Sequence, residues 1–176
     1  MKTLGIGMVI YSLLLSGVLG ADVKEHGAVG DGRADDTAAI QRAVNVGGAV
    51  TFPSGTYRIT KTITVKLEES GYTALSGGGA AKLIMAGPGP AVKFIGTNEA
   101  KENLARSRAQ VWAREAQPMV DGLRIEGAHE AADGIQAEGT VQFTVTRTQI
   151  RGVRHGIRLT KSNRNVVISN SHIYAN

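Results

Sequence analysis

Short alternating runs of apolar and polar residues dominate the chain after its first twenty positions. Ala49-Val50-Thr51-Phe52, Tyr57-Arg58-Ile59 and Thr62-Ile63-Thr64-Val65 carry the two-residue period of a half-buried strand. Tyr72 to Leu75, Lys82-Leu83-Ile84-Met85 and Ala91-Val92-Lys93-Phe94-Ile95 continue the series. Turns are predicted at Pro53-Ser54-Gly55, Gly77-Gly78-Gly79 and Pro88-Gly89-Pro90. No run exceeds about six residues, the ordinary strand length. One early segment has a different period: Thr37, Ile40, Ala43 and Val44 share a face at helical spacing. Asp35 or Asp36 is placed to cap it and Gly47-Gly48 to stop it, which predicts a helix from Asp36 to Val46. Thr97 to Gln117 also leaves the strand pattern. It is rich in charge and helix formers, and predicts an inserted helix or arm docked through Leu104, Val111 and Trp112.

The strands repeat. Gly134 to Gly156 and Ile135 to Ile157 are steps of 22 residues, and Val145 to Ile168 is a step of 23. Ile125, Ile150 and Ile173 follow at steps of 25 and 23. A period near 23 that holds three short strands predicts an all-β solenoid, each period one coil. Strands then pair with their equivalents in the next coil, about 4.8 Å away. Ile125, Ile150 and Ile173 should form one interior column, Ile135 and Ile157 a second, with Ala137 and Leu159 beside it. Outward columns follow: Arg124, Gln149 and His172; Glu126, Arg151 and Tyr174; Gln136 and Arg158; Glu138 and Thr160. Amides at Asn163, Asn165 and Asn170 are placed to pair up the stack. A β-sandwich would use similar strands but would not produce this register.

Composition adjusts the picture in three places. The 23 glycines among 176 residues fit many tight turns, and the absence of cysteine excludes disulfides, thiolate metal sites and a thiol nucleophile. Residues 1–20 begin with Lys2 and run apolar to Leu19, a secretory signal cleaved after Gly20 or Ala21, which predicts a secreted or periplasmic protein. The run is short for a spanning helix, so no stable membrane insertion is expected after cleavage. The formal charge of +5 falls to +4 without Lys2. The positive residues are scattered, which fits an acidic polysaccharide better than nucleic acid as the partner.

Gly27-Ala28-Val29-Gly30-Asp31-Gly32 and Asp35-Asp36-Thr37-Ala38-Ala39-Ile40-Gln41 resemble the N-terminal signature of pectate-lyase-superfamily β-helices. That group includes the rhamnogalacturonase and epimerase-like pectate lyase domains. Gly48-Ala49-Val50-Thr51-Phe52-Pro53-Ser54-Gly55-Thr56-Tyr57 and Leu75-Ser76-Gly77-Gly78-Gly79 match the segments that follow. The resemblance implies a right-handed parallel β-helix with an N-terminal capping α-helix and, here, a helical insertion at about 97–117. The domain is expected over 21–176, as the N-terminal coils of a longer β-helix, because no capping element follows the last coil. The resemblance further implies a lyase, hydrolase or epimerase acting on pectin-like or other acidic glycans. The alternative is a non-catalytic carbohydrate-binding or structural β-helix.

Candidate chemistry gathers late in the chain. Related polygalacturonases use several aspartates with a His and an Arg-Lys pair, but their acidic motifs are missing here. Asp133 lies one coil from His155, and with Arg158 these are the candidate catalytic residues. Arg151, Arg154 and Lys161 would supply positive charge to an acidic substrate, as a lyase requires near the uronate carboxylate. Against this, Asp133 and His155 also suit turns ahead of Gly134 and Gly156, and Glu126 with Arg151 suits a solvated cross-coil pair. No oxygen-rich cluster marks a metal site and no cofactor is evident. Calcium enters only if the protein is a lyase. Tyr57, Tyr72 and Trp112 suit either sugar stacking or packing.

Overall fold

The computed structural model describes residues 20–98, 109 and 111–174. The expected leader, Leu104 and most of the expected insertion therefore lie outside the described residues. Three rows of strands run through the chain, and every pairing is parallel. The first row is β1 (Ala21–Asp22), β3 (Gly48–Thr51), the first part of β6 (Thr73–Met85), the first part of β8 (Met119–Gly127), β10 (Thr144–Thr146) and β13 (Val167–Ser169). The second is β2 (Asp31–Asp35), β4 (Gly55–Ile59), the remainders of β6 and β8, β11 (Gln149–Arg151) and β14 (His172–Tyr174). The third is β5 (Ile63–Lys66), β7 (Gly89–Ile95), β9 (Ala132–Glu138) and β12 (Ile157–Thr160). Two helices accompany them, α1 (Thr37–Val46) and α2 (Leu67–Ser70).

The repeat register predicted from sequence is the observed one. Ile125 pairs with Ile150 and Ile150 with Ile173; Ile135 pairs with Ile157 and Ala137 with Leu159. Alternation then decides which side chains are buried. Tyr57, Ile59, Leu83, Met85, Ile125 and Ile150 all point inward and are buried. Each such side chain contributes about 1.5–3 kcal/mol when fully buried. Phe94 packs on Phe143 with centroids 5.0 Å apart, filling the interior between rows. Ile173 occupies the same column yet is 44% exposed, because among the described residues nothing stacks beyond it.

Several local expectations change. β6 and β8 run for 13 and 9 residues, longer than predicted, because each bends from the first row into the second without a break. The register shift between Ser76 and Ala81 absorbs the glycine-rich corner. Asp36 stands at the N-cap of α1 but does not cap it with its side chain. Its buried carboxylate instead accepts hydrogen bonds from the N–H groups of Val29 and Gly30 at 2.7 and 3.1 Å, folding the glycine loop back. Asp35 accepts from Thr37 N–H at 3.1 Å. Ala39, Ile40, Ala43 and Val44 bury the inner face of α1. On its side Gln41 donates to Thr64 O and accepts from Thr64 N–H, each at 2.8 Å. A side-chain amide thus replaces the strand that β5 lacks on this edge, which blunts an open template for pairing.

Asn163 bonds across the stack, but to Thr140 and to the carbonyls of Ala137 and Thr160 rather than to another amide. Tyr57 is packing: it is buried, and its hydroxyl donates to Pro53 O. Between 97 and 117, residues 109 and 111–114 are helical. Val111 is buried there, while Trp112 is exposed rather than docked.

Candidate functional site

Stacking of successive rungs places residues 154–156 directly over residues 132–134. Arg154 N–H donates to Ala132 O, and Gly134 N–H donates to His155 O. Asp133 is the second residue of β9, and its side chain is only 2% exposed. A bare carboxylate there would be costly, so it must be paired. Arg154 grips it bidentately, Nε to Oδ1 at 3.0 Å and Nη2 to Oδ2 at 2.9 Å. His155 Nδ1 lies 2.9 Å from Oδ1, and Arg158 Nη1 lies 3.6 Å from Oδ2.

The electrostatics follow from these contacts. Hydrogen bonding from Arg154, opposed by burial and reinforced by His155, lowers the Asp133 carboxyl to about 2. Near neutrality Asp133 is an acceptor only, so the proton between it and His155 must sit on Nδ1. A neutral His155 then carries its lone pair on Nε2, which makes no hydrogen bond among the described residues. The imidazole is half exposed, as are Arg154 and Arg158. The result is an oriented base flanked by two guanidinium groups.

Arg151 and Lys161 belong to other clusters. Arg151 donates to Glu126 at 2.9 Å, and Lys82 lies 3.1 Å from the same carboxylate. Lys161 and Lys93 meet Glu138 at 3.1 and 3.3 Å. Burial acts to raise both glutamates, but their hydrogen bonds to Arg151 and Lys82, and to Lys161 and Lys93, leave each below its ordinary value. A glycosidase needs a carboxylic acid of raised pKa opposite a second carboxylate. All three carboxylates here are pushed the other way. Among the described residues no group of three or more His, Asp and Glu could hold a metal ion, and these carboxylates are already taken up by cations. The described residues do not fit a calcium site.

Lys82 and Lys93 escaped the sequence reading. Their signal was present in the register, where Lys93 pairs with Gln136 and Lys82 with Arg124. These partners lie 42 and 43 residues apart, nearly twice the repeat, which hides the match.

Comparison with known proteins agrees with this architecture. Residues 21–103 match the family described as rhamnogalacturonase A/epimerase, pectate lyase-like. Mannuronan C5-epimerase AlgE3 of Azotobacter vinelandii is 50% identical over 44 residues, which are 22% of this chain and 2% of that protein. Among solved structures, ORF18 of Geobacillus virus E2 superposes with a TM-score of 0.63 at 25% identity, over 78% of this chain and 27% of that one. The A-module of the A. vinelandii mannuronan C-5 epimerase AlgE6 superposes with a TM-score of 0.61 at 21% identity, over 86% and 44%. The chain thus spans less than half the length of each of these proteins. With its parallel strand rows and the match over residues 21–103, the chain is similar to pectate-lyase-like β-helix proteins.

Proposed function

We propose that this protein acts on an acidic, uronate-containing polysaccharide by abstracting the C5 proton, as an epimerase or a lyase. The observation that carries the reading is the Asp133–His155 pair between Arg154 and Arg158. His155 Nε2 takes the C5 proton. Arg158 and Arg154 neutralise the uronate carboxylate, which acidifies that proton and stabilises the charge that develops. Asp133 does not touch substrate; it positions His155 and fixes its tautomer. Delivery of a proton from water to the opposite face, while His155 keeps the proton it took and later releases it to solvent, gives the C5 epimer. Departure of the O4 substituent, as the C5–H electrons form the C4–C5 double bond, gives the unsaturated product. Hydrolysis is the weakest of the three chemistries, because each candidate acid is held ionised. In this reading the rungs form a right-handed solenoid over 21–176, α1 caps its first end, the 97–117 segment is an insertion, and the 1–20 leader directs the protein out of the cytoplasm.

The test incubates the protein with polymannuronate and polygalacturonate in D2O. Deuterium at C5, or an unsaturated uronate chromophore, is the expected result, and His155→Gln should lower the rate by about 100-fold or more. New reducing ends with neither signal would sink the reading. A second reading, glycan binding without turnover, is favoured by the two cations held on Glu126 and on Glu138, an arrangement that also suits a structural staple. It predicts retained glycan binding and no change in the polymer.

A further inference from the structure

Three large apolar side chains stand exposed at the corner where the chain enters the first row of strands. Val46 ends α1, Tyr72 lies two residues beyond α2, and Trp112 belongs to the helical residues 111–114. They are 60%, 52% and 41% exposed. Contacts between successive rungs gather them. Gly48 N–H donates to Tyr72 O at 2.7 Å, and Tyr72 Oη donates to Trp112 O at 3.4 Å. A Cβ on Gly47 would come within 2.2 Å of Ser70 O, so the turn after Val46 lies directly against the turn before Tyr72. Exposed apolar residues scattered singly need no explanation, but three gathered at one corner point to something that covers them.

A groove of about 280 Å³ lies next to this corner, between α1, β5 and α2, with Val44, Asn45, Thr64 and Ser70 in its lining. Asn45 Oδ1 accepts from Gln41 at 2.7 Å, while Asn45 Nδ2 and Thr64 Oγ1 make no hydrogen bond among the described residues. Charge is balanced here. Lys66 pairs with Glu69 at 2.9 Å, and Arg114 reaches across to Glu68 O at 3.5 Å. Two cations thus stand with two carboxylates, unlike the His155 surface, where two guanidinium groups flank one carboxylate.

We propose that this corner binds a neutral saccharide, with pyranose rings against Tyr72 and Trp112 and hydroxyls held by Asn45 and Thr64. The site lies off the strand rows and does not depend on the chemistry assigned to His155. A pyranose has an apolar C–H face that packs on an aromatic ring and a rim of hydroxyls that needs uncharged donors and acceptors beside it. Both are present here within one corner. An acidic sugar would find no net positive charge to draw it. A second protein fits less well, because three side chains and a small groove fall short of the roughly 800 Å² per partner of a stable interface.

Trp112 is the one tryptophan of the chain, so its emission reports on this corner alone. The test titrates the full chain with cellohexaose, with mannohexaose and with a mannuronate hexamer, following tryptophan emission and heat. A neutral hexamer should give a saturable shift of the emission to shorter wavelength. Tyr72→Ala and Trp112→Ala should each weaken binding by about ten-fold or more in calorimetry, whereas Tyr72→Phe, which keeps the ring, should bind as the native chain does. Both side chains are about half exposed, so thermal midpoints should stay near the native value and lost binding cannot be ascribed to unfolding. His155→Gln should bind the neutral hexamer unchanged whether or not the protein turns over a uronate, which separates this proposal from the catalytic one. No shift with either neutral hexamer would overturn the site. Equal affinity for the mannuronate hexamer would overturn its assignment to a neutral sugar. An emission shift that follows protein concentration alone would overturn it in favour of a second copy of the chain.

Discussion

Two neighbouring columns, one residue apart on the same strands, show how this molecule divides its work. Ile125 and Ile150 stack inside, buried and dry. Glu126 and Arg151 stack outside, 2.9 Å apart and about one-third exposed. The step between rungs is identical, but the energies are not. Buried apolar contact is worth kilocalories, while an exposed ion pair is worth about 0–1 kcal/mol. The inner column holds the fold and the outer one is free to vary. Asp133 breaks that division. It is buried, yet it is charged and gripped from the next rung. A buried charge that the packing of the fold does not require is where a functional site is expected.

The largest expected effect tests the inner column. Ile150→Ala should cost about 2–5 kcal/mol in denaturant unfolding, because the rungs above and below cannot collapse onto the gap. Ile173→Ala, in the same column but 44% exposed, should cost less than half as much. Equal losses would show that burial does not set the scale.

Next comes the buried charged residue. Asp133 is held below its ordinary 3.8, at about 2, so its contribution is present above pH 3.8 and is lost as pH falls toward 2. With solvent screening at half-exposed Arg154, the contribution is about 1–2 kcal/mol. The thermal midpoint of Asp133→Asn should therefore vary less between pH 2 and pH 5 than that of the native chain. Parallel pH profiles for the two proteins would remove the carboxylate's role.

The smallest effect belongs to the outer column. Glu126→Gln should change stability by no more than about 1 kcal/mol, and that change should fade in high salt. A loss comparable to Ile150→Ala would mean that the outer ion pairs carry the fold after all.

The architecture was legible because the rung step returns chemically similar residues to one place, and the eye can follow Ile125 to Ile150 to Ile173. The early helix was legible from its own spacing. The site was half legible. Asp133, His155 and Arg158 could be gathered from the 22-residue step, but that Arg154 joins them, and that Arg151 and Lys161 serve other carboxylates, could not. Each long side chain can reach several partners, and a period says which residues are neighbours without saying which way a guanidinium turns. The choice between Asp35 and Asp36 as the helix cap stayed open for a similar reason. A carboxylate before a helix suits its N-terminus equally well as a loop's N–H groups, and only the folded path of Val29-Gly30 decides between them.

By itself the amino-acid order determined the rows, the register and the buried columns, because alternation and period are one-dimensional properties that a chain carries along its length. Only the tertiary structure decided the hydrogen-bond partners of Asp133, the covering of β5 by Gln41, and the meeting of Tyr72 with Trp112 at one corner. Those depend on the direction and depth of side chains brought together from different rungs, and neither quantity exists until the rungs are stacked.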